Sequence, residues 1–221
     1  MHPEILDPER SSLLQTICEN IDLTGFYLAG GTGLSLQMRL RRSYDFDFFT
    51  QNTFNENSLV HSLEPLFPNG LEGLTLNKGT CSLLINGIQV SFFEYPYPLI
   101  QDAAACEQIQ NLYLAGIPDI AAMKMSAIGG RGAKKDFFDL YQIFTKAGIS
   151  AGQMLDLLRI KYGDHFNYSY ILMGLDYFDD AEQELLPELF VDFDWDEAKR
   201  FFIQKKKEFL DLAYSDQNLL R

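Results

Sequence analysis

The stretch Phe26-Tyr27-Leu28-Ala29-Gly30-Gly31-Thr32-Gly33-Leu34-Ser35-Leu36 opens apolar, breaks on paired glycines, and resumes with helix formers through Met38 and Leu40. That order reads strand, tight glycine turn, helix. Thirteen residues after Thr32, Asp45-Phe46-Asp47-Phe48-Phe49 alternates acid and aromatic over most of its length. This is the period-two signature of a strand with one polar and one apolar face. Upstream, Leu13, Leu14, Ile17 and Ile21 recur at helical spacing, and Gly25 closes that helix. Downstream, a helix is predicted over 55–66, and strands over 80–85 and 88–93 flank Asn86-Gly87. Asn-Gly is the dipeptide best suited to a type I′ hairpin, where both central residues need positive φ. Pro96 and Pro98 end the second strand, and from Pro118 onward the pattern is helical, over 118–128, 134–146, 151–161 and 195–214. The expected fold is therefore α/β (α+β): a mixed-sheet N-terminal part, residues 1–115, followed by a helical region, 116–221, without repeats or a clear linker.

Composition narrows the chemistry. The chain has 221 residues, 47% of them hydrophobic and 22% charged, with a formal net charge of −13. It can bury a real core, so disorder and low-complexity structure are excluded. Apolar runs are short and interrupted by charge, as at Lys124, so no membrane span is expected. The opening Met1-His2-Pro3-Glu4 has neither a basic start nor an apolar stretch, which makes the cytoplasm the expected location. Cys18, Cys81 and Cys106 are too scattered for a disulfide framework or a Cys-x-x-Cys metal site and read as buried free thiols. His2, His61 and His165 are equally dispersed, which excludes a His-rich zinc site. Residues 164–198 contain eleven acids and no Lys or Arg, so they carry most of the net charge. Directly after them come Lys199, Arg200, Lys205, Lys206 and Lys207 with no acid between, a basic run whose natural partner is a nearby acidic surface or a polyanion.

Two features of the opening stretches bear on function. Glycines at a strand-to-helix turn let the backbone approach a ligand, and the amides at the helix start, with the Thr32 hydroxyl, form an anion site suited to phosphate. Asp45 and Asp47 lie on one face of a strand, ~6.6 Å apart along its axis. Carboxylates so placed can bind hard cations, and paired Mg²⁺ ions serve in-line displacement at phosphorus.

The runs 28–36 and 41–49 resemble the first motif of the AbiEii-type nucleotidyltransferases, members of the DNA polymerase β-like superfamily. A second stretch agrees: Ile117-Pro118-Asp119-Ile120-Ala121-Ala122-Met123-Lys124-Met125-Ser126-Ala127-Ile128, then Arg131-Gly132-Ala133-Lys134-Lys135-Asp136-Phe137-Phe138-Asp139-Leu140-Tyr141. The resemblance implies a polymerase β-like core whose active-site cleft the helical region completes. It implies transfer of a nucleoside monophosphate from a nucleoside triphosphate to an acceptor, with Mg²⁺ or Mn²⁺ held by Asp45 and Asp47. Gly30, Gly31 and Thr32 would hold phosphates, with Arg42, Arg131 and Lys134 adding positive charge. Lys124 would serve the triphosphate, and Asp136 and Asp139 would be further acids of the site or holders of their helix. From its surroundings alone, a lysine among Ala121, Ala122, Met123 and Met125 points to a specific anionic partner, whereas Lys135 and Asp139 have the spacing of a helix pair.

Relatives of this family serve as toxins in bacterial toxin–antitoxin and abortive systems, some modifying the 3′ end of transfer RNA. RNA as acceptor and an antitoxin protein as partner follow from that resemblance, with Arg39, Arg41, Arg42 and 199–207 as the positive surface RNA needs. The superfamily places a third carboxylate on a later strand. Here that position aligns with Ser91, and Glu94, three residues on, faces the opposite side of a regular strand. Two other readings therefore stand beside transferase: a nucleotide-binding or protein-interaction module with weakened chemistry, and an antibiotic-type enzyme acting on a small hydroxylated molecule.

Overall fold

The computed structural model describes residues 1–163 and 167–215, so Asp164 and His165 lie outside the described residues. The chain divides into two units, Met1–Gly116 and Ile117–Arg221.

The first unit is built on a seven-stranded mixed sheet in the order β3-β4-β5-β2-β1-β7-β6. A short 3₁₀ turn precedes α1 (Pro8–Asn20); then come β1 (Phe26–Leu28), α2 (Gly30–Met38), β2 (Phe46–Thr50) and α3 (Glu56–Leu63). The remaining strands are β3 (Leu71–Asn77), β4 (Thr80–Ile85), β5 (Ile88–Glu94), β6 (Ala104–Ala105) and β7 (Tyr113–Leu114). Asp7 caps α1 by accepting from the Arg10 amide, and Asn55 caps α3 through the Ser58 amide. Asn86 and Gly87 have φ of 50° and 77°, the conformation that a type I′ turn between β4 and β5 requires.

One sheet face is apolar. Phe46, Phe48, Val90, Phe92, Leu83 and Ile85 are all buried, and Phe48 stacks on Phe92 at 5.1 Å. Burial of each such side chain contributes about 1.5–3 kcal/mol. The other face carries Asp47 and Phe49 on β2 and Ser91 and Phe93 on β5, because alternate residues turn the opposite way.

The second unit is helical: α4 (Ile117–Gly130), α5 (Lys134–Lys146), α6 (Ala151–Tyr162), α7 (Tyr168–Gly174), α8 (Asp179–Glu182) and α9 (Trp195–Ser215). A capping box between Ser150 and Gln153 starts α6. α4 and α7 approach closely at glycines: a Cβ on Gly174 would lie 2.6 Å from the Ile128 carbonyl oxygen. Phe137 is the hub of an aromatic cluster, with Phe178, Phe202 and Trp195 at 5.2, 5.2 and 5.8 Å. Phe178 and Trp195 therefore serve packing. A buried ion pair of 2.7 Å, Lys161 with Asp119, ties α6 to α4. Among the described residues no helix is long and apolar enough to cross a membrane.

Candidate active site

In the first unit, β1 delivers the chain to α2 without an intervening loop. Gly30, Gly31 and Thr32 are the first turn of that helix rather than a separate turn before it, with Ala29 as its N-cap. Gly30 has a φ of 63°, and a Cβ there would sit 2.9 Å from Asp47 Oδ2. The glycine is therefore required twice, by backbone conformation and by the approach of the carboxylate. Thr32 is buried, and its hydroxyl donates to the Asp45 carbonyl. That bond positions the acid-bearing strand, and the first-turn backbone amides of α2 have no intrahelical partner.

Asp45 and Asp47 are both half-buried, Asp47 within β2 and Asp45 just before it. β2 runs parallel to β5 with Asp47 opposite Ser91 and Thr50 opposite Glu94. Ser91 thus occupies the place beside Asp47 on the same face, and the uninterrupted register leaves Glu94 on the other parity. Ser91 is buried in a neutral cluster: its hydroxyl is 3.0 Å from Ser82 Oγ, to which Gln89 Nε2 donates at 2.8 Å. Ser82 and Gln89 had no distinguishing sequence signal, because their nearness to the acid pair depends on strand pairing across the sheet.

Of the arginines expected to form a positive surface, Arg41 falls differently. Arg41 is 3% exposed and donates from Nη1 to the Arg42 carbonyl. A Cβ on Gly31 would lie within 2.4 Å of Arg41 Nη2, so Arg41 is packed against the helix start and is not part of a positive outer surface. Arg42 is half-buried and donates to the Ile5 carbonyl at 3.2 Å, while Arg39, in the left-handed conformation that closes α2, is exposed.

The second unit holds its own charged cluster. Lys124 is 5% exposed, and its ammonium lies 2.7 Å from Asp136 Oδ1 and 2.6 Å from Asp139 Oδ2, both carboxylates being fully buried. The specific anionic partner expected for Lys124 is this pair, and Asp139 turns to Lys124 in place of the helix pairing with Lys135 expected for it. Arg131 adds Nε to Asp136 Oδ2 at 2.8 Å. Burial pushes the Asp136 carboxyl up, but the opposed pull of Lys124 and Arg131 outweighs it and holds the group well below the usual carboxylate range. Lys134 donates to the Glu182 carbonyl at 3.1 Å and lies over the Trp195 ring.

The basic run of α9 finds the acidic surface that was one of its two expected partners. Lys199 pairs with Glu182 at 2.6 Å and Asp196 at 2.9 Å, and Lys206 with Asp176 at 2.6 Å. Lys205 pairs with Glu208 at 2.7 Å.

Comparisons with known proteins place the chain in a family. A family model described as "Nucleotidyl transferase AbiEii toxin, Type IV TA system" matches residues 88–217, more than half of the chain. The chain belongs to the AbiEii nucleotidyltransferase toxin family. The matched residues include the Lys124–Asp136–Asp139 cluster and Ser91 and begin after the glycine turn and the acid pair. An uncharacterized protein of Aquifex aeolicus (strain VF5) is 36% identical over 208 residues, spanning 93% of this chain and 98% of that protein. Among solved structures, MenT4, a nucleotidyltransferase toxin of Mycobacterium tuberculosis H37Rv, superposes with a TM-score of 0.58 at 15% identity, covering 94% of this chain and 84% of that one. A candidate nucleotidyltransferase from H. pylori gives 0.51 at 18% identity, covering 94% and 99%. At such identities the likeness is one of fold, and it agrees with the mixed sheet and helical C-terminal region expected from the AbiEii pattern.

Proposed function

We propose that this AbiEii-family chain is a Mg²⁺- or Mn²⁺-dependent nucleotidyltransferase acting in the cytoplasm, with Asp45 and Asp47 as its metal ligands and the start of α2 as its phosphate cradle. The observation that carries the reading is the packing of Asp47 against Gly30, which sets a carboxylate beside the amide-rich end of a nine-residue helix. Mg²⁺ is commonly held by one or two carboxylates completed by substrate phosphate oxygens. A set of two acids beside a neutral Ser91 fits that mode, and among the described residues no cluster of three or more His, Cys, Asp or Glu side chains offers a dedicated cage. When bound, the metal supplies charge neutralisation at the triphosphate.

The chain's own groups do the rest. The Gly31 region presents backbone amides to phosphate oxygens, Arg41 supports that turn from behind, and Thr32 fixes the strand carrying the acids. The acceptor hydroxyl gives up its proton to solvent as its oxygen bonds to the α-phosphorus, the α–β phosphoanhydride breaks, and pyrophosphate leaves. In the same reading Lys124, Asp136, Arg131 and Lys134 are the charged residues that the AbiEii resemblance assigns to the triphosphate and to the acids of the site. RNA, including the 3′ end of transfer RNA, is the acceptor this reading favours, and an antitoxin protein is its partner.

The test is incubation with Mg²⁺ and each α-labelled nucleoside triphosphate plus total RNA, protein or small-molecule extract, with Asp47→Asn as control. Label in the RNA fraction with wild type alone is the expected result. Label in no fraction with any nucleotide would overturn the transferase reading in favour of a second one, a nucleotide-binding module, whose specific support is the neutral Ser91, hydrogen-bonded to Ser82.

A further inference from the structure

At the ends of β1 and β2 remote from the glycine turn, Tyr27, Gln51, Asn52, Leu99 and Tyr113 line most of a pocket of ≈390 Å³. Its volume lies in the range of small-molecule sites. No charged residue is among those that line it, so its chemistry suits neither a phosphate nor a metal ion. It offers instead aromatic rings and side-chain carboxamides. β7 pairs parallel to β1 with Leu28 opposite Leu114, which sets Tyr113 beside Tyr27. Tyr113 is 47% exposed, a ring left open to a ligand.

The amide is held in place. Gly25, at φ 80°, lets the Asn52 carboxamide close over the backbone, since a Cβ there would sit 2.9 Å from Nδ2. The Asn52 backbone N–H donates to Thr50 Oγ1 at 3.2 Å, fixing the turn that carries the side chain. Carboxamides present a donor and an acceptor side by side, the pattern that reads the edge of a base, and aromatic faces accept any base by stacking.

We propose that this pocket is a nucleobase site, in which a base stacks on Tyr113 and meets the carboxamides of Asn52 and Gln51 with its edge. The base belongs either to a free nucleotide or to single-stranded RNA. Gln51 lies four residues beyond Asp47, ~13 Å along the strand direction at ~3.3 Å per residue. An RNA whose terminus reached the acid pair would therefore present an internal base here, a placement that rests on the transferase reading, whereas base binding itself does not.

The experiment is titration of the full chain, without divalent metal, with adenosine, guanosine, cytidine and uridine and with single-stranded RNA hexamers of each base. Wild type, Tyr113→Ala, Tyr113→Phe, Asn52→Ala and Asp47→Asn are compared, folding being checked by circular dichroism. At least one base is expected to bind, with affinity falling roughly tenfold in Tyr113→Ala and Asn52→Ala and kept in Tyr113→Phe and Asp47→Asn. Nucleosides binding as well as hexamers identifies a free nucleotide as the source; hexamers binding far more tightly identifies RNA. Absence of binding for every probe, or binding unchanged in both alanine variants, overturns the proposal. Failure of the transferase reading shows separately, as label reaching no fraction in the transfer assay.

Discussion

At the scale of single residues, the acid pair and the buried cluster call for opposite experiments. Asp47→Asn is nearly isosteric on a half-buried strand position, so its folding stability should stay within about 0.5 kcal/mol of wild type while Mg²⁺-dependent nucleotide binding is lost. Calorimetric binding with and without Mg²⁺ checks this, and unchanged Mg²⁺-dependent binding would remove the metal role. Lys124→Met does the reverse to the fold. It withdraws the ammonium from two fully buried carboxylates, and breaking a buried pair on one side costs about 3–5 kcal/mol. A urea midpoint near that of wild type would refute the cost. Because Asp136 is held below its unfolded value near ~3.9, its contribution is fully present above that pH and is lost as pH falls through the lowered one. Urea midpoints should therefore decline below about pH 4 in wild type, and less steeply in Asp136→Asn.

At the scale of elements, the closest helix contact can be probed directly. Gly174→Ala forces a methyl onto the Ile128 carbonyl, so α4 and α7 must part, at about 1–3 kcal/mol; a melting temperature equal to wild type would show that the contact yields freely. Sequence alone revealed elements whose pattern is local: α1, the β1–α2 turn, the alternation of β2, the Asn86-Gly87 hairpin and the long helices α4, α5, α6 and α9. It missed β3, whose residues from Glu72 to Asn77 are exposed, and whose register with β4 shifts between Glu72 and Thr75 around Gly73 at φ 58°. The bulge leaves an alternation of only Leu74 and Leu76, both exposed, too short to mark a strand. β6 and β7 are two residues each and exist only by docking on the sheet edge. The spacing of Asp45 and Asp47 stood out because it is local, although β2 begins at Phe46 and leaves Asp45 just before it. Ser91 could be aligned from motif order alone, but its bonds to Ser82 and the nearness of Gln89 required the parallel pairing of β2 with β5. Arg41 was misread because burial of an arginine against a glycine leaves no trace in composition.

At the scale of the whole molecule, a chain of net charge −13 pairs lysines of its basic run with nearby acids. With Asp176 and Glu182 occupying Lys206 and Lys199, the basic run offers a polyanion little. Asp176→Asn combined with Glu182→Gln should raise salt-dependent retention on heparin, and unchanged retention would show that those lysines were already available. The three thiols are free and buried, and burial pushes Cys18 up to about 12 and Cys81 to about 11. Neither should react with a disulfide reagent at pH 8 until the chain is unfolded in denaturant; rapid native-state labelling would contradict this. The neutral Ser91 has a consequence for how the resting protein copes without a ligand. A third carboxylate beside Asp47 would crowd like charges on one sheet face and make the cation a folding partner. With a hydroxyl bonded to Ser82 in that place, the fold does not need a cation to offset a third charge. Chelation should leave the melting temperature where it was, and under the proposed function a metal ion would arrive with the incoming nucleotide.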